Sequence, residues 1–296
     1  MLTVDVEDYF QVSAFDHRIK REEWDSMPCR VEANTERLLA IFSEAQVSGT
    51  FFVLGWVANK YPQLIRRIAE AGHELASHGY WHRLVYTLSR DEFRRDIKDS
   101  KNAISDAAGV AVSSYRAPSF SITNKSLWAL ETLVEEGFRV DSSIFPIRHD
   151  RYGVPDASPE IHSRMTPAGN ITEIPPSFWQ SRIAKVPIGG GYFRLFPESL
   201  TSRAITAVRN EGRPAIFYLH PWEVDPEQPR IDGIGIKSRF RHYVGLHHTE
   251  QKLRKLLAKH PFGRVDKTLK RVQEASPQTH AEAHNPLAPV TGAEPN

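Results

Sequence analysis

Apolar and polar positions follow two different periods along most of the chain. Short runs that alternate, or that are apolar throughout, predict strands, whereas longer segments with apolar residues every three or four positions predict amphipathic helices. Strand and helix alternate four times between Leu2 and Ser143, and the rhythm resumes after residue 197. Such alternation is typical of parallel strands joined by crossover helices, so we expect an α/β fold built as a sheet or a barrel.

Capping residues set the boundaries of these elements. Asn34 and Thr35 are expected to cap the first helix, and Ser89 with Glu92 forms a capping box for a later one. The predicted strands are 2–10, 50–55, 73–77, 112–120, 138–143 and 214–222, and the predicted helices contain residues 38–45, 64–69, 93–107, 127–134, 200–208 and 253–257.

Residues 146–197 interrupt this rhythm. The segment is rich in proline and contains Gly189 to Gly191, but it also holds aromatic residues such as Tyr152 and Tyr192. Disordered segments are poor in aromatic residues, so we expect an ordered segment that either faces a substrate or packs over the open side of a barrel.

The overall composition excludes several classes of protein. The 296 residues contain 38 Lys and Arg against 36 Asp and Glu, without a long block of either sign, so neither nucleic acid nor an anionic membrane is an expected partner. The longest apolar run, residues 51–58, is too short to cross a bilayer. No leader-like segment precedes the first strand and Cys29 is the only cysteine, so we expect a cytoplasmic protein.

Two histidines four residues apart follow the strand 73–77. A spacing of about one helical turn lets the rings of His78 and His82 project in the same direction and take adjacent positions on one metal ion. Taken alone, the pair is more typical of a surface turn in a chain with 13 histidines, so the metal prediction depends on the residues that accompany it.

Other chemically active side chains also stand at predicted strand ends. They are the carboxylates of Asp5, Glu7 and Asp8, the guanidinium of Arg116 and the imidazole of His220. The carboxyl ends of parallel strands share one face of an α/β fold, so we expect these groups to converge with the histidine pair. Two histidines and one carboxylate are a recurrent ligand set for Zn²⁺ or Fe²⁺, and such an ion would activate water and polarise a carbonyl group.

Five short motifs, in order along the chain, resemble those of the polysaccharide deacetylase family. This family carries the chitooligosaccharide deacetylase (NodB) homology domain and is similar to carbohydrate esterase family 4. The motifs are Thr3 to Asp8 (TVDVED), His78 to His82 (HGYWH), Arg116 to Phe120 (RAPSF), Asp141 to Ser143 (DSS) and Leu219 to Pro221 (LHP). Within the family, the chain particularly resembles the subfamily from exopolysaccharide gene clusters, which has its own C-terminal extension.

The resemblance implies a fold and a division of the chain. It predicts a distorted (β/α) barrel in one catalytic domain over residues 1–265, including an extension at about 222–265. Residues 270–296 are rich in alanine and proline without apolar periodicity, so they are predicted to be a disordered tail.

The resemblance also implies an activity and roles for the motif residues. The family hydrolyses N-acetyl groups on amino sugars of a polysaccharide or its precursor, with metal-bound water as nucleophile. Carried over, His78 and His82 are ligands of a divalent metal, for which Zn²⁺ is the expected ion. Asp5 is then the general base, Arg116 holds it in position, and His220 is the general acid that protonates the leaving amine.

Substrate contacts are assigned on the same comparison. Pro118, Phe120 and Trp222 are predicted to belong to the substrate-binding surface, and the aromatic residues between 152 and 193 are expected to stack on sugar rings. A backbone N–H near Ser119 and Phe120 is expected to assist the metal in stabilising the oxyanion.

The first two motifs depart from the common family pattern. Val6 stands where a metal-binding aspartate is usual, so Glu7, which alternation places on the same side of the strand as Asp5, is the predicted third ligand and Asp8 is the reserve. Gly79 replaces the usual Ser or Thr after the first histidine. These departures leave two alternatives open, namely a hydrolase of cyclic amides on the same fold and a glycan-binding relative without activity.

Overall fold

Strands and helices alternate as the sequence predicts. In the computed structural model, which describes residues 1–180 and 185–275, the strands are β1 (Leu2–Val6), β2 (Thr50–Val53), β3 (Glu74–Ser77), β4 (Ser114–Tyr115), β5 (Val140–Asp141), β6 (His162–Thr166), β7 (Gly169–Glu173), β8 (Phe178–Gln180), β9 (Lys185–Pro187) and β10 (Phe217–Leu219). The helices are α1 (Val31–Glu44), α2 (Gly55–Lys60), α3 (Pro62–Glu70), α4 (Arg90–Ala108), α5 (Trp128–Glu135), α6 (Gly190–Leu195), α7 (Glu198–Asn210), α8 (Ile236–Tyr243), α9 (Leu246–Lys259) and α10 (Val265–Ala275).

Most of the strands form one curved sheet. Within the described ranges, eight strands pair in the order β10-β1-β2-β3-β4-β5-β7-β6. Neighbours from β10 to β7 are parallel, and β6 and β7 form an antiparallel hairpin. A parallel bridge between Gly189 and Tyr218 continues the pairing beyond β10. The sheet curls into a half-barrel surrounded by helices, which confirms the predicted distorted (β/α) barrel.

Alternate residues of β1 lie on two faces of the strand. One face packs in the hydrophobic core, and the other carries polar side chains of the candidate site. The three aliphatic residues of β1 join the main hydrophobic core, and burying each of them stabilises the fold by about 1.5–3 kcal/mol. Thr3 and Asp5 point to the opposite face, where both accept hydrogen bonds from Arg116. The paired and fully buried strand therefore presents Asp5 at a defined position inside the barrel.

The cap of α1 differs from the sequence prediction. The helix begins at Val31, so Asn34 and Thr35 lie inside it, where both are buried. The Asp8 carboxylate, which follows β1, accepts hydrogen bonds from the N–H groups of Arg30 at 2.6 Å and Val31 at 2.8 Å. A distant side chain thus stabilises the helix N-terminus, and the local capping signal was wrong.

The segment 146–197 is ordered over its described residues. It contains the hairpins β6–β7 and β8–β9 and the short helix α6. At the other end of the chain, α10 continues to Ala275, past the predicted start of the tail, and residues 276–296 lie outside the described residues. None of the helices in the described ranges is both long and apolar enough to span a membrane.

Candidate active site

Three buried side chains at the carboxyl ends of β1 and β3 bring potential metal-ligand atoms together. Glu7 follows β1, and His78 and His82 follow β3. One ligand atom from each residue lies within 4.8 Å of the ligand atoms of the other two. The neighbouring strands β1, β2 and β3 thus join segments that are about 70 residues apart in the chain, as the argument from strand ends predicts.

A loop, rather than a helical turn, orients the two histidines. Gly79 has φ +75° and His82 has φ +49°, both in the left-handed region. The backbone N–H groups of Tyr80 and Trp81 donate to the buried Asp96 carboxylate of α4, at 2.8 and 3.1 Å. The rings converge, but the helical geometry behind the prediction is wrong, and Asp96 is a supporting residue that the sequence analysis missed.

The loop also explains why glycine follows the first histidine. A Cβ atom at Gly79 would lie 2.7 Å from Asp96 Oδ2, closer than side chains tolerate. The Gly79 carbonyl in turn accepts a hydrogen bond from the Gly55 N–H at 2.9 Å. The departure from the usual Ser or Thr therefore follows from the close approach of α4 and the positive φ.

The donor atoms of this cluster fit a divalent cation. Glu7 Oε2 lies 2.6 Å from His82 Nε2 without hydrogen-bond geometry, and, among the described residues, this oxygen and His82 Nδ1 have no hydrogen-bond partner. His78 Nδ1 lies 2.8 Å from the Arg116 carbonyl oxygen, which only accepts, so Nδ1 carries the proton and Nε2 presents a lone pair. Nitrogen and carboxylate donors in this buried arrangement suit Zn²⁺ or a related ion.

Protonation states agree with this ligand set. Burial is the main cause that lowers the pKa of His78 to about 4, which keeps the imidazole neutral and able to bind a metal. Burial alone would raise the pKa of Glu7, but His82 and His220 outweigh it and hold this pKa below its usual value. Glu7 is therefore a carboxylate at neutral pH.

Asp8 does not join the cluster. Its carboxylate is occupied by backbone N–H groups, those of Tyr9, Arg30 and Val31, at 2.6–2.8 Å. Burial outweighs these hydrogen bonds and raises the pKa of Asp8 to about 6. Of the two candidate carboxylates after β1, the geometry favours Glu7.

Asp5 and Arg116 form a buried ion pair beside the cluster. Arg116 Nη1 donates to Asp5 Oδ1 at 2.7 Å, and Nη2 donates to Ser142 Oγ at 3.0 Å. The guanidinium carbon lies 4.1 Å from the centre of the Phe52 ring. These contacts restrain one carboxylate oxygen of Asp5, as expected for a residue that positions a base, and Ser142 is a further supporting residue.

His220 approaches the site from β10. Its Nε2 atom lies 3.7 Å from Glu7 Oε1 and 3.9 Å from Asp5 Oδ2, and its Nδ1 atom lies 2.6 Å from Glu223 Oε1. Burial lowers the pKa of His220, but the carboxylates of Glu7, Glu223 and Asp5 outweigh it and raise this pKa to about 9. These carboxylates therefore favour the protonated imidazole, whose Nε2 is directed to the site.

A buried arginine supports His220 through its neighbour. Arg194 Nε donates to Glu223 Oε2 at 2.6 Å, and its other nitrogens donate to the carbonyl groups of Arg241, His242 and Val244. The sequence analysis missed this link. The available signal was the position of Glu223 three residues after His220, whereas nothing local pointed to Arg194.

The predicted substrate-contacting residues have different surroundings. Trp222 is buried, and it donates from Nε1 to Glu7 Oε1 at 3.1 Å and stacks on His220 with ring centroids 5.2 Å apart. Phe120 packs among Phe145, Tyr152 and Tyr218, and Pro118 is buried beside the His78 loop. The packing of Phe120 and Pro118 indicates structural support, and their contact with substrate stays a prediction.

Of the two residues predicted to supply a backbone N–H to the oxyanion, the structure leaves one as the candidate. Ser119 and Phe120 both have positive φ, at +51° and +52°, which is unusual for residues other than glycine. The Phe120 N–H donates to the Ala117 carbonyl at 2.9 Å, so the Ser119 N–H is the remaining candidate. Strained backbone of this kind is common at functional sites.

Family comparisons match both halves of the chain. A family model described as polysaccharide deacetylase matches residues 23–135, and one described as a domain of unknown function (DUF3473) matches residues 142–270. The first match includes His78, His82 and Arg116, whereas Asp5 and Glu7 lie before it.

Individual relatives and one solved structure agree with these matches. Peptidoglycan-N-acetylglucosamine deacetylase of Bacillus cereus is 34% identical over 98 residues, which are 33% of this chain and 36% of that protein. Chitooligosaccharide deacetylase of Sinorhizobium fredii is 38% identical over 85 residues, which are 28% of this chain and 40% of that protein. A crystal structure from Mycobacterium smegmatis, assigned to the polysaccharide deacetylases, covers 100% of this chain and 94% of its own with a TM-score of 0.63 at 20% identity.

The chain is a distorted (β/α)-barrel protein with a buried cluster of histidines and carboxylates at the strand ends. The family match over residues 23–135 confirms the predicted resemblance to the polysaccharide deacetylase family, and the solved structure agrees with the predicted fold. The chain spans less than half the length of either curated relative, and the solved structure at 20% identity supports the fold.

Proposed function

We propose that the chain is a metal-dependent carbohydrate N-deacetylase acting on N-acetylhexosamine units of a polysaccharide or its precursor. The carrying observation is that Asp5 and His220 stand together beside the cluster of Glu7, His78 and His82. A carboxylate that can accept a proton and an imidazole that can donate one, next to a potential metal-ligand set, are the groups that metal-assisted amide hydrolysis uses. The relatives named for deacetylation of peptidoglycan and chitooligosaccharides support an N-acetylated glycan as substrate.

Glu7, His78 and His82 would hold the ion, and Zn²⁺ suits this donor set. When bound, such an ion supplies positive charge that polarises the acetyl carbonyl and increases the acidity of water. With an ion held there, Glu7 would raise the pKa of His220 less, while Glu223, whose Oε1 lies 2.6 Å from His220 Nδ1, would still stabilise the protonated imidazole.

The protein groups then divide the proton transfers. Asp5, held by Arg116, takes a proton from the water that attacks the acetyl carbon. His220 donates its Nε2 proton to the amide nitrogen, so the C–N bond breaks to give acetate and a free amine. The Ser119 N–H is the proposed backbone donor to the oxygen that becomes negative during the attack.

Acetate release tests this proposal. Protein loaded with Zn²⁺ is incubated with N-acetylated chitooligosaccharides and with peptidoglycan fragments, before and after treatment with a chelator. We expect acetate and a free amino group in equal amounts, loss of activity on chelation and recovery when metal is returned.

Three outcomes would contradict it. Ring opening of cyclic imides without acetate release would favour a cyclic amide hydrolase. Binding of the glycans without turnover by the metal-loaded protein would indicate a glycan-binding relative. Full acetate release after complete metal removal would contradict the metal-dependent mechanism.

A further inference from the structure

A cavity of about 510 Å³ lies next to the candidate active site and is lined mainly by the later part of the chain. Trp222 and Tyr218 line it and also contact His220, with ring centroids 5.2 and 6.1 Å from the imidazole. Ser119 lines it as well. The cavity is therefore close enough to accept a group attached to the sugar that reacts at His220.

The charged side chains that line this cavity within the described residues are cations. Arg151, Lys237 and Arg241 line it, together with Arg194, whose nitrogens are engaged by Glu223 and backbone carbonyl groups. None of the lining residues in the described ranges is Asp or Glu. Such an excess of positive charge in a concave site attracts an anion.

One nearby carboxylate reduces this charge without cancelling it. Asp150 Oδ2 lies 3.5 Å from Arg241 Nη1, but the Asp150 side chain is 61% exposed and does not line the cavity. Arg151 and Lys237 add two further positive charges. The cavity thus remains positive overall.

Aromatic rings accompany the cations. Tyr152, Tyr192 and Phe240 line the same cavity, and Phe240 is 56% exposed. Aromatic faces bind the apolar faces of sugar rings, whereas Lys and Arg bind phosphate or carboxylate oxygens. The combination suits a sugar that carries a negative charge better than a neutral sugar.

We propose that this cavity binds an anionic substituent, a phosphate or a carboxylate, on the glycan next to the sugar that is deacetylated. This inference rests on the proposed function for its biological substrate, but the binding itself can be measured without turnover. Lys237 and Arg241 of α8 would then select the substrate. Neither residue belongs to the five family motifs.

Calorimetric titration of the full chain with two matched pairs of probes tests the inference. N-acetylglucosamine 1-phosphate is compared with N-acetylglucosamine, and glucuronate is compared with glucose. We expect at least one charged probe to bind about tenfold more tightly than its neutral partner, and the pair that shows this identifies phosphate or carboxylate as the group recognised. The preference should decrease as salt concentration rises.

Variants locate the site. The double variant Lys237→Gln with Arg241→Gln should lose the preference for the charged probe, whereas Lys98→Gln, which removes an exposed lysine from α4, should retain it. Equal affinity within both pairs, absence of binding of all four probes, or an unchanged preference in the double variant would overturn the inference. If a charged probe binds preferentially but the metal-loaded protein releases no acetate from the N-acetylated glycans, the proposed function is contradicted and the anion-binding site remains supported.

Discussion

The two sides of the candidate site are held in place in different ways. On one side, Asp5, Glu7 and the two histidines follow β1 and β3, whose pairing through β2 brings them together. On the other side, His220 depends on Glu223 and, through it, on Arg194, which also binds three backbone carbonyl groups around the end of α8. The first side, called here the strand side, is held by the ends of β1 and β3. On the second, called here the helical side, His220 also follows a strand, β10, but contacts from Glu223 and from Arg194 of α6 hold its imidazole.

In the proposed mechanism, this difference separates metal binding from proton donation. The strand side contains the complete predicted ligand set, whereas the helical side contains His220, the proposed acid, and the cationic cavity. We therefore expect changes on the strand side to affect metal content or the base, and changes on the helical side to affect turnover while metal is retained.

Asp5→Asn should give the largest loss of activity. Removing the proposed base lowers the rate of acetate release by about 1000-fold, while the metal ligands stay in place. Steady-state rates and metal content of the purified variant test this prediction. Asp99→Asn, at an exposed position of α4, is the matched control. Activity within threefold of the wild type would show that another group is the base.

Glu223→Gln should reduce turnover less and leave metal content unchanged. The substitution keeps the size of the side chain but removes the charge that stabilises protonated His220, so kcat should fall by about 10- to 100-fold with little change in KM. Glu227→Gln changes an exposed carboxylate of the same segment and serves as control. Loss of metal from Glu223→Gln would contradict the separation of the two sides.

Gly79→Ala should weaken metal binding by about tenfold through the His78 loop. The new Cβ would meet Asp96 Oδ2 at 2.7 Å, so the loop that carries both histidines must shift. Gly72→Ala is a close control because Gly72 also has positive φ, at +82°, but has nothing within 4 Å of an added Cβ. Competition with a chelating dye measures the affinity. Equal affinities in the two variants would mean that the loop geometry is unimportant for the metal.

The smallest expected effect is on the pH dependence of stability. It comes from His73, which lies at the opposite end of β3 from His78. The Gly49 N–H donates to His73 Nδ1 at 3.0 Å, and burial with the charge of Arg264 lowers the pKa of His73 to about 4. Between pH 6.5 and 4 the unfolded chain therefore binds a proton that the folded chain does not. The free energy of unfolding should fall as pH decreases, by up to about 1.4 kcal/mol per pH unit from this group.

Urea unfolding of the wild type and His73→Gln across this pH range isolates that contribution. The glutamine can accept the same hydrogen bond but does not titrate, so the free energy of unfolding of the variant should decrease less steeply on acidification. Parallel curves for the two proteins would show that His73 does not titrate in the expected way.

The sequence predicted the strand side of the site better than the helical side. Apolar periodicity and strand-end motifs were sufficient for the barrel and for the convergence of Glu7, His78 and His82. They could not predict that Asp96 would orient the histidine loop, because that contact depends on how α4 packs against β3.

Predictions from local sequence patterns were wrong or missing where a residue distant in the sequence determines the structure. The first helix was assigned caps at Asn34 and Thr35, but Asp8 provides the hydrogen bonds from a residue that precedes the helix by more than 20 positions. Likewise, no periodic pattern in residues 146–197 indicated that Arg194 would bind Glu223. Such contacts form only when the tertiary structure brings the partners together.

Metal content is the most direct test of the central claim that Glu7, His78 and His82 form the metal site. Elemental analysis is performed on protein purified without chelators, for the wild type, Glu7→Gln, His78→Ala, His82→Ala and Asp8→Asn. We predict one equivalent of a divalent metal in the wild type and in Asp8→Asn, and loss of most of it in the other three variants. Full metal content in Glu7→Gln together with metal loss in Asp8→Asn, or full content in His78→Ala, would contradict the ligand assignment.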